Sequence, residues 1–280
     1  MGPTAIPNGQ TYGGPRVLVT GRVTAIAVDP TNPLVIYVGT AQGGIWKTVD
    51  GGTEWQPCSD NEASLAIGAL ALDPSNSQIV YAGTGEGNFS GDSYYGAGVL
   101  RSTNGGGSWT LLGANVFTGV RFGGKTGTPG TPARLFAATS SGLYRSADSG
   151  TTWTQLSGGG LPTQYATDVV IDPSAPATVY AAFWGNGIYK CTNAGANTPT
   201  WSKLAGGLPS ADATPPGGFL RVVLGLSPTS PQTLFALFAN NMTNAPNPAN
   251  NYVIDKFYQT TNGGASWGHI ALPNGSIGGQ

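Results

Sequence analysis

Short apolar runs recur along the chain, divided by residues that favour turns. The first is AIAV (25–28). It is followed by an Asp-Pro-x-Asn-Pro segment, then VIYVG (35–39), then GGIWKT (43–48). In the last of these, Ile45 and Lys47 point one way and Trp46 and Thr48 the other. Such alternation is the mark of a half-buried strand. A compact apolar run bounded by Pro and Gly reads as an inner strand buried on both faces. Pro fixes φ in the intervening turn, and the short side chains of Asp and Asn bond nearby backbone. The pattern predicts strands over 25–28, 35–39 and 45–48, with a fourth starting at Trp55. Pro and Gly interrupt every window long enough for an amphipathic helix.

The same order returns along the chain. The second unit reads GALALDPSNSQIVYAGT and GAGVLRS, the fourth TDVVIDPSAPATVYAAF and NGIYKC, and the fifth VVLGLSPTSPQTLFALF and DKFYQT. The third keeps RLFAATSSGLYRS but has GGKTGTPGTPA in place of the Asp-Pro turn. Each unit ends in one eight-residue signature: TVDGGTEW (48–55), STNGGGSW (102–109), SADSGTTW (146–153) and TTNGGASW (260–267). A degenerate copy, CTNAGANTPTW, ends at Trp201. Four strands in roughly 45 to 50 residues is the period of a propeller blade. The fold expected is an all-β propeller, a single domain over 1–280. Its five recognisable four-stranded antiparallel blades span about 21–60, 61–115, 116–160, 161–207 and 215–273, with 1–20 an N-terminal extension or extra strand. A small closed ring and a part of a larger ring both fit this count, and the second is preferred.

The signature reads as structural. Its acidic position is held by Asp50, Asn104, Asp148 and Asn262. Asp and Asn share an oxygen that accepts backbone N–H bonds in a tight turn, but they do not share a charge. A turn clamp survives that exchange; proton transfer or metal binding does not. The Gly that follows supplies backbone angles a Cβ resists. Trp55, Trp109, Trp153 and Trp267 each bring a large apolar surface, placed between adjacent sheets.

The pattern S/T-x-D-x-G-x-T-W resembles the Asp-box, or BNR repeat, over about residues 20–270. That repeat occurs in β-propellers of sialidases, xyloglucan-active glycoside hydrolases, sortilin-type receptors, photosystem II assembly factors and some lectins. The chain looks most similar to secreted bacterial BNR-repeat proteins. The resemblance implies a fold and leaves the activity open.

Composition narrows the field. Only 9% of residues are charged, against roughly 25% in an average soluble domain. The net charge of −1 gives no electrostatic case for nucleic acid or an anionic membrane. No apolar run approaches the roughly 18 residues of a membrane span, so membrane insertion is not expected. Low charge with much Gly, Ser, Thr, Asn and Trp points to a secreted or cell-surface location. The start, MGPTAIPNGQ, lacks the layout of a signal peptide and reads as a processed or engineered terminus. Cys58 and Cys191 make no disulfide framework and are expected to be free, buried thiols.

The Asp-Pro turns and the signatures connect strands one–two and three–four, so they share one face and form scaffold. Function is expected on the opposite face, where the two–three loops are irregular. Two of these are long, 85–98 and 239–256. The first gathers Glu86, Asn88, Asp92, Tyr94 and Tyr95, and the fourth unit adds Trp184 and Asn186. Rings that stack on a pyranose beside acids and amides that bond its hydroxyls would make a sugar platform. The competing structural reading has Tyr94, Tyr95 and Trp184 only packing between blades. The leading expectation is a non-catalytic binding propeller with a glycan or other extracellular ligand as partner. Further domains of a longer parent chain are partners too. The first alternative is a glycoside hydrolase using Glu86, Asp92 or Asp168, since such hydrolysis needs two carboxylates across the bond. The second is a protein-docking propeller.

Xyloglucan-active relatives carry an acid just after the second strand, in a pattern like T-D-x-G-G. Here that stretch is TAQGG (40–44), with Ala41 in the acidic place. Sialidases of this fold use three arginines. Arg22 and Arg221 fall on opposite pleat faces when aligned on their turns, and Arg121 has no turn to align by. His269, the only histidine, lies on an expected outer strand as an ordinary residue. No Cys/His cluster suggests zinc, and no cofactor or metal is expected.

Overall fold

The structure is a computed structural model of the chain. It describes residues 6–9, 17–19, 21–87, 93–114, 122–127, 134–209, 219–241 and 252–271. Twenty-two strands lie in the described residues. After a two-stranded pair, β1 (Ile6–Gly9) and β2 (Val17–Val19), come five four-stranded antiparallel sheets. Sheet I holds β3 (Val23–Val28), β4 (Ile36–Thr40), β5 (Ile45–Thr48) and β6 (Gln56–Pro57). Sheet II holds β7 (Ile67–Asp73), β8 (Asn76–Thr84), β9 (Val99–Ser102) and β10 (Thr110–Leu112). Sheet III holds β11 (Phe122–Gly127), β12 (Leu135–Thr139), β13 (Gly142–Ser146) and β14 (Thr154–Gln155). Sheet IV holds β15 (Ala166–Ile171), β16 (Val179–Phe183), β17 (Gly187–Cys191) and β18 (Trp201–Lys203). Sheet V holds β19 (Phe219–Leu226), β20 (Leu234–Asn241), β21 (Tyr252–Thr260) and β22 (Gly268–Ile270). In every sheet the strands pair in chain order. These are the blades of a five-bladed β-propeller fold. Among the described residues no helix is long and apolar enough to cross a membrane.

The chain divides into two compact units. One comprises Met1–Gly123 with Pro129–Arg134 and Ser146–Trp153. The other comprises Gly124–Thr128, Leu135–Arg145 and Thr154–Gln280. In the first, Tyr37, Ile45, Ile67, Leu70, Val80, Ala82 and Leu100 form a buried cluster between sheets I and II, with Ala25, Ala27 and Trp109 packed against it. In the second, Phe136, Leu143, Val169, Phe183 and Trp201 join sheets III and IV, while Tyr180, Ile188, Val222, Leu234, Phe238 and Trp267 join sheets IV and V.

The signature folds as one corner in each repeat. In sheet I the Thr48 hydroxyl donates to Asp50 Oδ1 at 2.7 Å and accepts the Gly52 N–H at 3.0 Å, while Asp50 Oδ1 accepts the Glu54 N–H at 3.0 Å. The same three bonds recur with Ser102, Asn104, Gly106 and Ser108; with Ser146, Asp148, Gly150 and Thr152; and with Thr260, Asn262, Gly264 and Ser266. Asp and Asn therefore do identical work through Oδ1. The degenerate corner keeps part of it: Cys191 stands in the Ser/Thr slot, its Sγ 3.1 Å from Asn193 Oδ1, which also accepts the Thr200 N–H. Both thiols are free, with Cys191 buried and Cys58 partly so. Two consecutive residues of each full corner have left-handed φ. Seven of these eight positions are Gly, and the exception is Ser149 at φ 60°.

Three corners also meet their own first turn: the N–H of Gly51, Gly105 and Gly263 donates to Leu34, Gln78 and Gln232 carbonyls. The two kinds of turn thus share one end of each of these sheets. The first turns are closed by Asp29, Asp73 and Asp172, whose Oδ1 atoms accept from Thr31, Ser75 and Ser174.

The left-handed pair turns one corner carbonyl outward, onto the preceding sheet. Gly105 O accepts from Tyr37 Oη at 2.9 Å and Lys47 Nζ at 2.7 Å. Gly263 O accepts from Tyr180 Oη at 3.2 Å and Lys190 Nζ at 2.8 Å. Tyr37 pairs with Lys47 across strands, as Tyr180 does with Lys190, and each ammonium lies 5.3 Å from its partner ring centroid. Burial pushes both phenols up to about 12, so they stay protonated as donors. In sheet II, Tyr81 pairs with Arg101 and is hydrogen-bonded to Ser149 of the third corner. In sheet III the tyrosine is replaced by Phe136, and Arg145 Nη1 alone bonds the Ala194 and Ala196 carbonyls, at 2.9 and 2.7 Å.

Two expectations are corrected here. β11 runs through the first half of GGKTGTPGTPA, which the sequence suggested was turn. The first strand of sheet I is not buried on both faces: Ala25 and Ala27 pack inward, while Ile26 is 65% exposed and Val28 48%.

A bond from a charged donor to a buried carbonyl contributes about 1.5–3 kcal/mol. Lys190→Met is therefore expected to lower unfolding stability by about 1.5–3 kcal/mol in urea denaturation. Gln259→Met, at the matching place of sheet V, should change it by about 0.5 kcal/mol or less.

Candidate functional site

The ends of the sheets opposite the corners carry the two–three turns. In the first unit they enclose a groove of about 500 Å³, lined by Gln42, Ala63–Ala66 and Tyr94–Ala97. Gln42 comes from the β4–β5 turn, Ala63–Ala66 from the link between sheets I and II, and Tyr94–Ala97 from the β8–β9 loop. Tyr94 and Tyr95 are 59% and 62% exposed.

The loop that presents them is pinned from below. Thr84 Oγ1 accepts the Ala97 and Gly98 N–H groups at 2.8 and 2.9 Å and donates to Gly98 O at 2.6 Å. The Glu86 N–H donates to Tyr94 O at 3.0 Å, and the Gly85 N–H to Ala66 O at 2.6 Å. Gly96 lies so close to the β8 backbone that a Cβ there would sit 2.1 Å from Thr84 O. The aromatic pair thus projects from a fixed base.

Glu86 lies beneath this loop and does not line the groove. It is fully buried, and Arg22 Nη2 contacts both its oxygens, at 2.6 and 2.7 Å. Burying a carboxylate is costly without such a partner. Arg22, at the start of sheet I, was considered in sequence only as a member of an arginine triad. Its pairing with a residue 64 positions away has no local signal. Asn88, Asp92 and Arg121 lie outside the described residues, as does most of the second long loop.

In the second unit, Trp184 and Asn186 sit together at the corresponding end of sheet IV. The Trp184 ring packs on Tyr165 with centroids 5.6 Å apart, and its backbone N–H donates to Tyr165 O at 2.9 Å. Asn186 donates to Gln164 Oε1 at 2.9 Å and accepts from Tyr189 Oη at 2.8 Å. Both side chains are engaged by their own sheet.

Asp168 is placed on β15, next to a bulge shared by the first strands of sheets I, II, IV and V. At the bulge, Thr167 Oγ1 donates to Val222 O at 2.8 Å, and in sheet I Thr24 does the same to Ile67 O. Asp168 extends this link: Oδ2 accepts the Leu224 N–H and Oδ1 the Val169 N–H, both at 2.8 Å. Part of the residue touches solvent, but its carboxyl is enclosed. Burial pushes it up to about 6, against the pull of the two N–H bonds and of Arg221. Its role here is to join sheets IV and V.

His269 pairs with Tyr258 on β22, ring centroids 5.4 Å apart. Among the described residues no group of His, Cys, Asp and Glu could hold a metal ion.

No protein-family model matches the chain, and no curated relative matches it. Solved structures do. An ancestral GH74 enzyme is 23% identical with a TM-score of 0.64, covering 89% of this chain and 31% of its own. The GH74 enzyme of Niastella koreensis is 22% identical, TM-score 0.62, over 88% of this chain and 38% of its own. YCF48 bound to D1 peptide is 14% identical, TM-score 0.56, over 92% and 70%. The chain spans only about a third of the GH74 structures it matches. At these identities the likeness shows the β-propeller fold, shared with glycoside hydrolases and with a peptide-bound protein alike.

Asp168 gives the second prediction. Its carboxyl titrates near 6 when folded and at 3.8 without the protein's influence. Between those values the folded chain holds the extra proton, so stability falls as pH rises through the window and levels off above it. Melting temperature should drop from about pH 4 to pH 6, with that component of the slope absent in Asp168→Asn.

Proposed function

We propose that this chain is an extracellular, non-catalytic carbohydrate-binding propeller whose ligand lies across Tyr94 and Tyr95. The observation that carries this reading is the adjacent pair of exposed tyrosines standing on a pinned loop over the groove. Their rings offer apolar faces to a pyranose. Gln42, Ser64 and the loop backbone offer hydrogen bonds, and among the described residues the lining contains no charged side chain. A neutral glycan fits such a surface better than an acidic one. The groove volume falls within the roughly 300–1,000 Å³ common for small-ligand sites.

The two candidate acids among the described residues support the non-catalytic side. Hydrolysis of a glycosidic bond needs two carboxyls facing each other across it, roughly 5 to 9.5 Å apart. Glu86 is occupied by Arg22 beneath the loop, and Asp168 accepts two backbone N–H groups on β15. The recurrent Ser/Thr–Asp/Asn clamp supports membership among Asp-box propellers, many of them secreted.

Isothermal titration with neutral oligosaccharides (xyloglucan, cello-, manno- and chito-series) tests the proposal. Saturable binding is expected for at least one. Tyr94→Ala and Tyr95→Ala should each weaken it about 3- to 12-fold, the equivalent of about 0.5–1.5 kcal/mol per stacked ring. Absence of binding at millimolar sugar, or binding indifferent to both substitutions, would refute it.

A further inference from the structure

One backbone bond recurs at the end of the sheets that carries the two–three turns. The residue after the second strand donates its N–H to the residue ahead of the first strand. Ala41 donates to Arg22 O at 3.0 Å, Gly85 to Ala66 O at 2.6 Å and Trp184 to Tyr165 O at 2.9 Å. The side chain at the accepting position differs in each sheet. At Ala66 it is a methyl group, and at Tyr165 a ring packed on Trp184. At Arg22 it is a guanidinium that leaves its own sheet and closes on Glu86, just beyond β8 in sheet II.

Arg22 therefore holds two sides of the Tyr94–Tyr95 groove. Its carbonyl accepts from Ala41, the residue before Gln42. Its guanidinium pairs with Glu86, whose own N–H donates to Tyr94 O at 3.0 Å. The remaining side, 63–66, is tied to each of these by backbone alone: the Gly44 N–H donates to Leu65 O at 2.9 Å and the Gly85 N–H to Ala66 O. The Glu86 side chain is fully buried, while that of Arg22 is 42% exposed. A buried carboxylate is strongly disfavoured without a cation beside it. The seat of Tyr94 in sheet II thus depends on a charge supplied by sheet I.

We propose that Arg22 is a positioning residue of this groove: acting through Glu86, it fixes the separation between Gln42 and Tyr94. This rests on the binding reading above and deepens it, since Arg22 is not among the residues that line the groove. A preset separation spares the ligand the cost of ordering the loop. Thr84 holds the far end of the loop through the Ala97 and Gly98 N–H groups. Loss of the cation should therefore release Tyr94 and leave Ala97 in place.

Two variants of the full chain test this: Arg22→Met, and Arg22→Met combined with Glu86→Gln, which leaves no charge buried. In both, native-state hydrogen exchange at the residue 86 N–H should rise about tenfold or more, while Ala97, Gly98 and Gly106 change less than about threefold. Arg22→Lys should bring residue 86 back to within about threefold of the parent chain. Unchanged exchange at residue 86 in the double variant, or a rise shared equally by Ala97, Gly98 and Gly106, would overturn the proposal.

That readout needs no ligand, so it decides the role of Arg22 even if the parent chain binds no sugar and the binding reading fails. Where an oligosaccharide does bind, both variants should weaken it about tenfold or more. Lys47→Met, which removes a bond at the opposite end of the same sheets, should change affinity less than about twofold. Equal weakening by Lys47→Met and by the Arg22 variants would assign the effect to general stability and contradict a positioning role.

Discussion

Neighbouring sheets in this fold are tied through backbone carbonyls that the corners present. A Ser or Thr hydroxyl and an Asp or Asn side chain hold the backbone of the corner so tightly that two successive residues take left-handed φ. At the second and fifth corners this leaves a peptide C=O pointing out of its own sheet. Such a group, buried unpaired, costs about 1–3 kcal/mol. The preceding sheet meets it with a Tyr–Lys pair at both, and Arg145 serves the fourth corner alone. The bond is local in geometry but joins residues 49 to 83 positions apart. It is how a chain of near-identical short strands specifies which sheet follows which.

Holding the sheets at the corner end frees the other end. The β8–β9 loop departs from the repeat without disturbing the stack, and there the exposed tyrosines occur. The two candidate acids among the described residues, one in each unit, serve the scaffold. Glu86 is neutralised by Arg22, and Asp168 extends the bulge contact made by Thr167 toward sheet V. The binding proposed for Tyr94 and Tyr95, by stacking and neutral hydrogen bonds, would use surface that the scaffold does not need.

Much of this was legible in the sequence because it is periodic. The strands, the corners and the equivalence of Asp50 with Asn104 follow from residue types at fixed spacing, and strand limits agree closely: the second was expected over 35–39 and is Ile36–Thr40. Periodicity misled where the environment differs between copies. AIAV has the composition of an inner strand buried on both faces, yet Ala25 and Ala27 alone pack on the core while Ile26 and Val28 are exposed. The site was legible only in part. Tyr94 and Tyr95 stand out in an irregular loop, but Gln42 and Ser64 are common residues brought beside them by the alignment of two sheets. The Arg22–Glu86 pair has no local pattern, and the raised affinity of Asp168 for its proton depends on enclosure that a single sequence does not encode.

The most direct test of the carbonyl contact is residue-resolved native-state hydrogen exchange on Lys47→Met. If corner and preceding sheet are joined through this group, exchange at 102–109 should rise by about tenfold or more, while 146–153 and 260–267 stay as they were. A uniform rise across all three corners, or none at 102–109, would contradict the account.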